Sequence, residues 1–297
     1  MKPKLAYFVM VHHKPAQFGW LLDAIDEPAA DRGSDPGDLI MVHVDMKSRL
    51  GLKADRRGVM AEVRRLCAGR PNVRILPSRF TNWGGWSLSQ MLLDAIASAL
   101  KADGEWEYFI NLSGQCYPLH PLPALKQALA DGSDSVHVEL LRIADLPADD
   151  WHHAASPMLE LPLRAIRRSG RQAAPEGFAV DHKGSQWVML PRSFCEWIVT
   201  SPLVPPITKY LRGRLLSDEL IMQTLALNSP FRDRIAGHYG REIYWPGPRV
   251  LTRDDLPVLS HSTSLFARKF DAEVDEQVLR ALAAANGFRS PPVAGVA

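Results

Sequence analysis

Short, unbroken apolar runs alternating with segments of helical period constrain this chain more than any other feature of its sequence. Leu5 to Val11 is apolar throughout, the pattern of a strand covered on both faces, as strands of a parallel sheet are. Phe18, Leu21, Leu22 and Ile25 then recur at helical spacing. Leu39 to Val44 reads as a second buried strand, Met60 to Leu66 as part of the next helix and Val73 to Leu76 as a short strand. Leu88 to Leu100 reads as a strongly apolar helix and Tyr108 to Leu112 as a further strand. This order predicts an α/β fold with a Rossmann-like, mostly parallel sheet flanked by helices. Ligands of such sheets bind beyond the carboxyl ends of the strands. The positions to watch are therefore His12-His13-Lys14, Asp45-Met46-Lys47 and Ser113-Gly114-Gln115.

Several function classes drop out early. No GxGxxG follows the first strand and no GxxxxGK[ST] occurs, which argues against dinucleotide-binding dehydrogenases and P-loop NTPases. A formal charge of +2 without a dense Lys/Arg stripe argues against nucleic acid as a partner. The three cysteines, Cys67, Cys116 and Cys195, are far apart, which fits a reducing compartment rather than a disulfide framework. The apolar run at the N-terminus is of strand length, shorter than a signal peptide or membrane span requires. Residues 139–180 are rich in Pro, Ala, Asp and Arg, and read as a long flap or acceptor loop with little sheet character. Beyond it, Ser185 to Leu190 reads as a strand, Phe194 to Thr200 as a helix, and Ser217 as the opening of a helix over Asp218 to Leu227. No linker divides the chain, so one domain is expected over residues 1–290, with a frayed tail at 291–297.

Five segments carry the chemistry: Asn82-Trp83-Gly84-Gly85-Trp86-Ser87, Asn111-Leu112-Ser113-Gly114-Gln115-Cys116-Tyr117-Pro118-Leu119, Lys183-Gly184-Ser185-Gln186-Trp187, Ser217-Asp218-Glu219 and Phe266-Ala267-Arg268-Lys269-Phe270. In this order they resemble the core-2/I-branching β-1,6-N-acetylglucosaminyltransferase and peptide O-xylosyltransferase family, over most of the chain. The resemblance implies a GT-A-type fold, a UDP-sugar donor and an inverting displacement. It implies no bound cofactor.

Residue by residue, the resemblance assigns Glu219 as the general base that takes the acceptor's proton. On local sequence alone, Ser217 would cap the helix while Asp218 and Glu219 complement its dipole. Arg268 and Lys269 match basic residues that stabilise the departing diphosphate. Read without the resemblance, they are equally a solvated basic pair. Only one acid, Asp45, stands after the second strand, so an Asp-x-Asp metal motif is missing and no metal is expected. Asp45 is expected to touch uridine, or else to cap its own turn. His12 and Lys14 occupy the equivalent edge of the first strand. Trp83, Gly84 and Gly85 look like a platform for a sugar, the ring stacking while the glycines admit close backbone approach. Gln186 stands where the xylosyltransferases carry Asp; with Trp187, Ser113 and Gln115 it is assigned to the donor sugar or acceptor. Adjacent histidines on a strand point to opposite faces, so His12-His13 and His152-His153 are poor metal pairs. The run Arg164, Arg167, Arg168, Arg171 would hold an anionic acceptor or form a solvated helix face.

The expected protein is a metal-independent, inverting transferase moving GlcNAc or xylose from UDP to a glycan or glycolipid hydroxyl. Lacking an N-terminal membrane helix, it would be bacterial and cytoplasmic, at most peripheral to the inner membrane, and act in surface-polysaccharide or lipopolysaccharide synthesis. The rival outside enzymes is a non-catalytic nucleotide- or glycan-binding module.

Overall fold

The computed structural model describes residues 4–27, 37–102, 105–132, 134–173, 175–245 and 247–289. The expected tail at 291–297 lies outside the described residues. Two compact units are formed, each from separate stretches of chain: Met1–Pro77, Leu112–Gly132 and Gly240–Ala297 make the first, Ser78–Asn111 and Ser133–Tyr239 the second. The architecture is mixed α/β, as expected, with a mostly parallel sheet.

In the first unit, strands Lys4–Val11, Leu39–Val44 and Val73–Ile75 pair in parallel with Leu39–Val44 in the middle. Ala6 faces Leu39 and Val11 faces Val44, so both longer strands end together and deliver His12 and Asp45 to one edge. The residues from Leu5 to Val9 are fully buried, which explains why the run carries no polar alternation. Pro15–Ile25 is helical, with Pro in the first turn, where a missing N–H costs nothing. A second, smaller sheet sets Phe266–Arg268 between Arg241–Ile243 and Tyr117–Pro118. Phe270 packs behind it among Trp20, Tyr117, Leu251 and Leu279. This core places Arg268 at a strand end.

In the second unit, the helix Trp86–Lys101 covers the apolar stretch expected of it. The strand Trp106–Ser113, which leads along the chain into the first unit, pairs antiparallel with Met189–Pro191. The expected strand over Ser185 to Leu190 is shorter than predicted because side chains intercept its backbone. Asn111 Oδ1 accepts from Val188 N at 2.7 Å, and Ser185 Oγ accepts from Trp187 N at 3.3 Å. Residues 139–180 hold more sheet than expected: Met158–Leu161 and Arg164–Arg167 form a hairpin, and Leu141–Arg142 pairs with His182–Lys183. The arginine run therefore begins on a strand, not on a helix face. The expected helix from Ser217 splits into a 3-10 turn, Ser217–Glu219, and an α-helix, Ile221–Leu227. Among the described residues, no helix is long and apolar enough to cross a membrane.

Candidate active site

Glu219 lies in the second unit at the end of its 3-10 turn, with its side chain 29% exposed. Its Oε2 stands 3.4 Å from His152 Nε2 and 3.4 Å from Lys183 Nζ. On the far side of the imidazole, His152 Nδ1 meets Asp150 Oδ1 at 2.7 Å. Burial would raise Asp150, yet hydrogen bonds from the His152 backbone and ring outweigh it and hold the carboxyl below its ordinary range. Burial pushes His152 down from its usual value, and the carboxylates of Asp150 and Glu219 do not restore it. The ring is therefore neutral at pH 7. An ionised Asp150 can only accept, so Nδ1 carries the proton and Nε2 presents its lone pair to Glu219.

Beside it, Asp218 is buried. Burial first, then the charges of Glu219 and Glu160, push its carboxyl up to about 7. Glu139 is also raised, chiefly by burial, with Lys183 opposing. A cluster of carboxyls sharing one lysine and one imidazole can take up or release a proton near neutrality.

The turn that carries Glu219 is braced by two of the motifs. Gly184 N donates to Glu219 O at 2.9 Å, and a Cβ on Gly184 would lie 1.9 Å from Glu139 O, so only glycine lets these backbones approach. Leu216 N donates to Gly84 O at 2.9 Å, and the Ser217 and Ser89 hydroxyls bond at 2.9 Å. The Ser217 side chain is thus spent on the Trp86–Lys101 helix and does not cap its own turn. Gly85 has the same structural origin. A Cβ there would sit 2.5 Å from Glu160 Oε1, because the Glu160 carboxylate closes the start of that helix. It accepts from Ser87 N at 2.8 Å and from Asn82 Nδ2 at 3.0 Å. The glycines of this motif make room for a carboxylate and a neighbouring turn, which revises the reading that they admit a sugar. Glu160 also fastens the Met158–Arg167 hairpin, so the expected flap is anchored there.

Trp83 is 69% exposed and meets Trp151, itself 48% exposed, edge to face at 5.7 Å. Trp83 is thus one half of an open aromatic pair, and its partner stands one residue from His152. Trp187, by contrast, is 4% exposed and fills the core, where its size explains its place. The backbone carbonyl of Gln186 accepts from Asn111 Nδ2 at 2.9 Å, and its side chain is half-buried.

The first unit gathers a different set. His12 is held down to about 3 by burial, then by the neighbouring His13 and by the positive charges of Arg56, Arg268 and Lys269. The first-strand edge and the C-terminal pair thus share one cationic neighbourhood, although they lie far apart in sequence. Burial pushes the Arg268 guanidinium down as well. Gln115 fixes the next residue of that segment: its Nε2 donates to Phe270 O at 3.1 Å, and Phe270 N donates to Gln115 O at 2.9 Å. Ser113 Oγ accepts from Gln115 N at 3.3 Å and closes the turn. Both residues are buried here and serve Arg268 and Lys269 through the backbone.

Lys14 points its ammonium at Asp271 and at Glu273, the latter at 2.8 Å. Asp45 is buried, receives Arg56 Nη1 at 2.9 Å and accepts from Lys47 N at 3.4 Å. The turn-capping alternative describes Asp45 as placed. The His12 and His13 rings stack at 4.0 Å in a bend beyond the strand, so the opposite-faces argument does not apply to them. Among the described residues, no group of three or more His, Cys, Asp or Glu is arranged to hold a metal ion.

Sequence reasoning missed Glu160, Trp151, Lys183 as a neighbour of the base, and Arg56. Only Trp151 and Lys183 carried a local signal, an aromatic beside a histidine pair and a charge inside a motif.

Comparison with known proteins agrees with the motif reading. The Core-2/I-Branching enzyme family model matches residues 5–257. The chain belongs to this family of glycosyltransferases. Xylosyltransferase 2 of Rattus norvegicus is 28% identical over 311 residues, covering 94% of this chain and 33% of the relative. A xylosyltransferase of Ciona intestinalis is 28% identical over 263 residues, covering 81% of this chain and 30% of the relative. The chain thus spans about a third of the length of these relatives. Mouse xyloside xylosyltransferase 1 in its apo form is similar in three dimensions at 13% identity, covering 89% of this chain and 97% of that one, with a TM-score of 0.39. That likeness is too loose to bear on the site.

Proposed function

We propose that this protein transfers a sugar from a UDP-sugar to an acceptor hydroxyl with inversion and without a metal ion. The observation that carries the proposal is the setting of Glu219: an open carboxylate between an imidazole lone pair and an ammonium, on a turn braced by two of the motifs. The acceptor oxygen attacks the anomeric carbon as its proton passes to Glu219. The bond from that carbon to the diphosphate breaks, and its electron pair leaves with UDP. Protonated Glu219 can hand its proton to His152 Nε2, and Asp150 stabilises the imidazolium that forms.

Arg268 and Lys269, held by the Gln115–Phe270 clamp beside Arg56, supply the cationic donors that a departing diphosphate needs. The metal-free reading rests on Asp45. Its carboxylate is already engaged by Arg56 and lies 4.0 Å from Lys47 Nζ, a poor start for a metal ligand. The relatives' names favour xylose as the donor sugar. Gln186 in place of the family's Asp keeps GlcNAc as the second reading, because an amide both donates and accepts.

A screen of UDP, UDP-xylose and UDP-GlcNAc in EDTA, by calorimetry with donor hydrolysis followed in parallel, tests this. Binding and turnover of one UDP-sugar, undiminished by EDTA, is the expected result and names the donor. Binding that appears only with Mn²⁺ would overturn the metal-free mechanism. Indifference to every uridine nucleotide would favour the binding-module alternative.

A further inference from the structure

A cavity of about 580 Å³ opens within the second unit, large enough for one or two sugar rings. Three arginines line it, Arg142, Arg171 and Arg214. Among the described residues, none of the three forms an ion pair with a carboxylate. Arg214 is only 4% exposed; it donates to Tyr210 Oη at 3.0 Å and to His152 O at 3.4 Å, both uncharged acceptors. Burial pushes Arg214 below its usual value, and the positive charge of Arg171 pushes it further. The one carboxylate in the lining, Asp181, pairs with His182 at 2.8 Å. Like charges gathered in a partly desolvated hollow are costly until an anion joins them. Phe178 and Tyr210 meet edge to face at 6.2 Å on the same wall, offering apolar surface to a sugar ring.

The cavity also has a fixed relation to the chemistry, because His152 lines it and stands 3.4 Å from Glu219. We propose that this cavity binds an acceptor sugar bearing an oxyanion, a carboxylate or a phosphate, with Arg142, Arg171 and Arg214 holding the anionic group. Arg214 is the preset floor of the site, and Arg142 and Arg171, both exposed, close on the ligand from its rim. Of the arginine run singled out in the sequence, only Arg171 lines this cavity; Arg142 and Arg214 come from remote segments. The assignment of the ligand as an acceptor rests on the transferase reading, whereas the anion preference does not.

The test is a ligand-observed NMR titration of the full chain with methyl β-D-glucuronide, glucose 6-phosphate and uncharged methyl β-D-glucoside. The charged probes are expected to bind at least about 10-fold more tightly than the neutral one. Arg171→Gln and Arg142→Gln, both surface changes, are each expected to remove about 10-fold of that affinity while leaving UDP binding intact. The tighter of the two charged probes identifies the anion. Equal binding of charged and neutral probes, or full anion affinity in Arg171→Gln, overturns the proposal. If the glucuronide or phosphate binds as expected but no uridine nucleotide does, the anion site stands and the transferase reading fails. UDP binding without anion preference is the reverse.

Discussion

The two units place their motif residues under opposite conditions. In the second, Glu219 keeps an open carboxylate, and the groups around it are a neutral imidazole, an ammonium and the raised carboxyl of Asp218. In the first, most of the residues picked out from sequence are already engaged: Lys14 by Asp271 and Glu273, Asp45 by Arg56, Gln115 by Phe270. Positive charge gathers there around His12. One unit gathers carboxyls around an imidazole and a lysine, and the other gathers positive charge. A residue's role follows from its partners more than from its motif.

The largest test of that contrast uses one substitution in each unit. Glu219→Gln should lower kcat by ~10²–10⁴ and leave UDP affinity unchanged, since the amide keeps the shape and loses the base. Lys269→Ala should do the reverse in binding, costing roughly 10- to 100-fold in UDP affinity by loss of a charge-assisted contact. Single-turnover kinetics with UDP calorimetry reads both. If both variants lose UDP affinity alike, the division of labour is wrong.

A smaller effect is expected from the brace. Gly85→Ala puts a methyl group 2.5 Å from the Glu160 carboxylate, and should cost about 1–3 kcal/mol of stability in urea titrations. Activity should fall with it as the Glu219 turn loosens, while UDP affinity holds. A fully stable Gly85→Ala protein would mean that Glu160 does not close the helix.

The last effect concerns pH and is read in a slope. Asp218 in the second unit, at about 7, and Asp38 in the first, raised mainly by burial to about 6, both hold protons more tightly folded than unfolded. Their contribution to stability is present at acid pH and is lost as pH rises from about 4 through 6 and 7. Asp218→Asn should flatten the later part of that decline, by at most about 1.4 kcal/mol for each unit of pKa difference removed. Melts from acid to neutral pH check this; an unchanged slope would show that Asp218 does not titrate there.

Much of this protein was legible in its sequence because the signals were local. A strand covered on both faces must be apolar throughout, so Leu5–Val11 and Leu39–Val44 announced a parallel sheet. The motifs were specific enough in type and order to name the family. Other local readings went astray where distant groups intervened. Ser185–Trp187 left the expected strand because Asn111 took a backbone N–H, and Ser217 turned to Ser89 instead of capping its turn. Gly85 serves a carboxylate seventy-five residues away, which no local pattern announces. Tertiary structure alone decided which charges met. It set His152 and Lys183 on Glu219, Arg56 on Asp45, and three remote arginines around one cavity. Composition and periodicity tell each residue how deeply to lie and in which element. Coulomb forces and hydrogen bonds act over a few ångströms, so they are fixed only once the folded chain has brought the partners together.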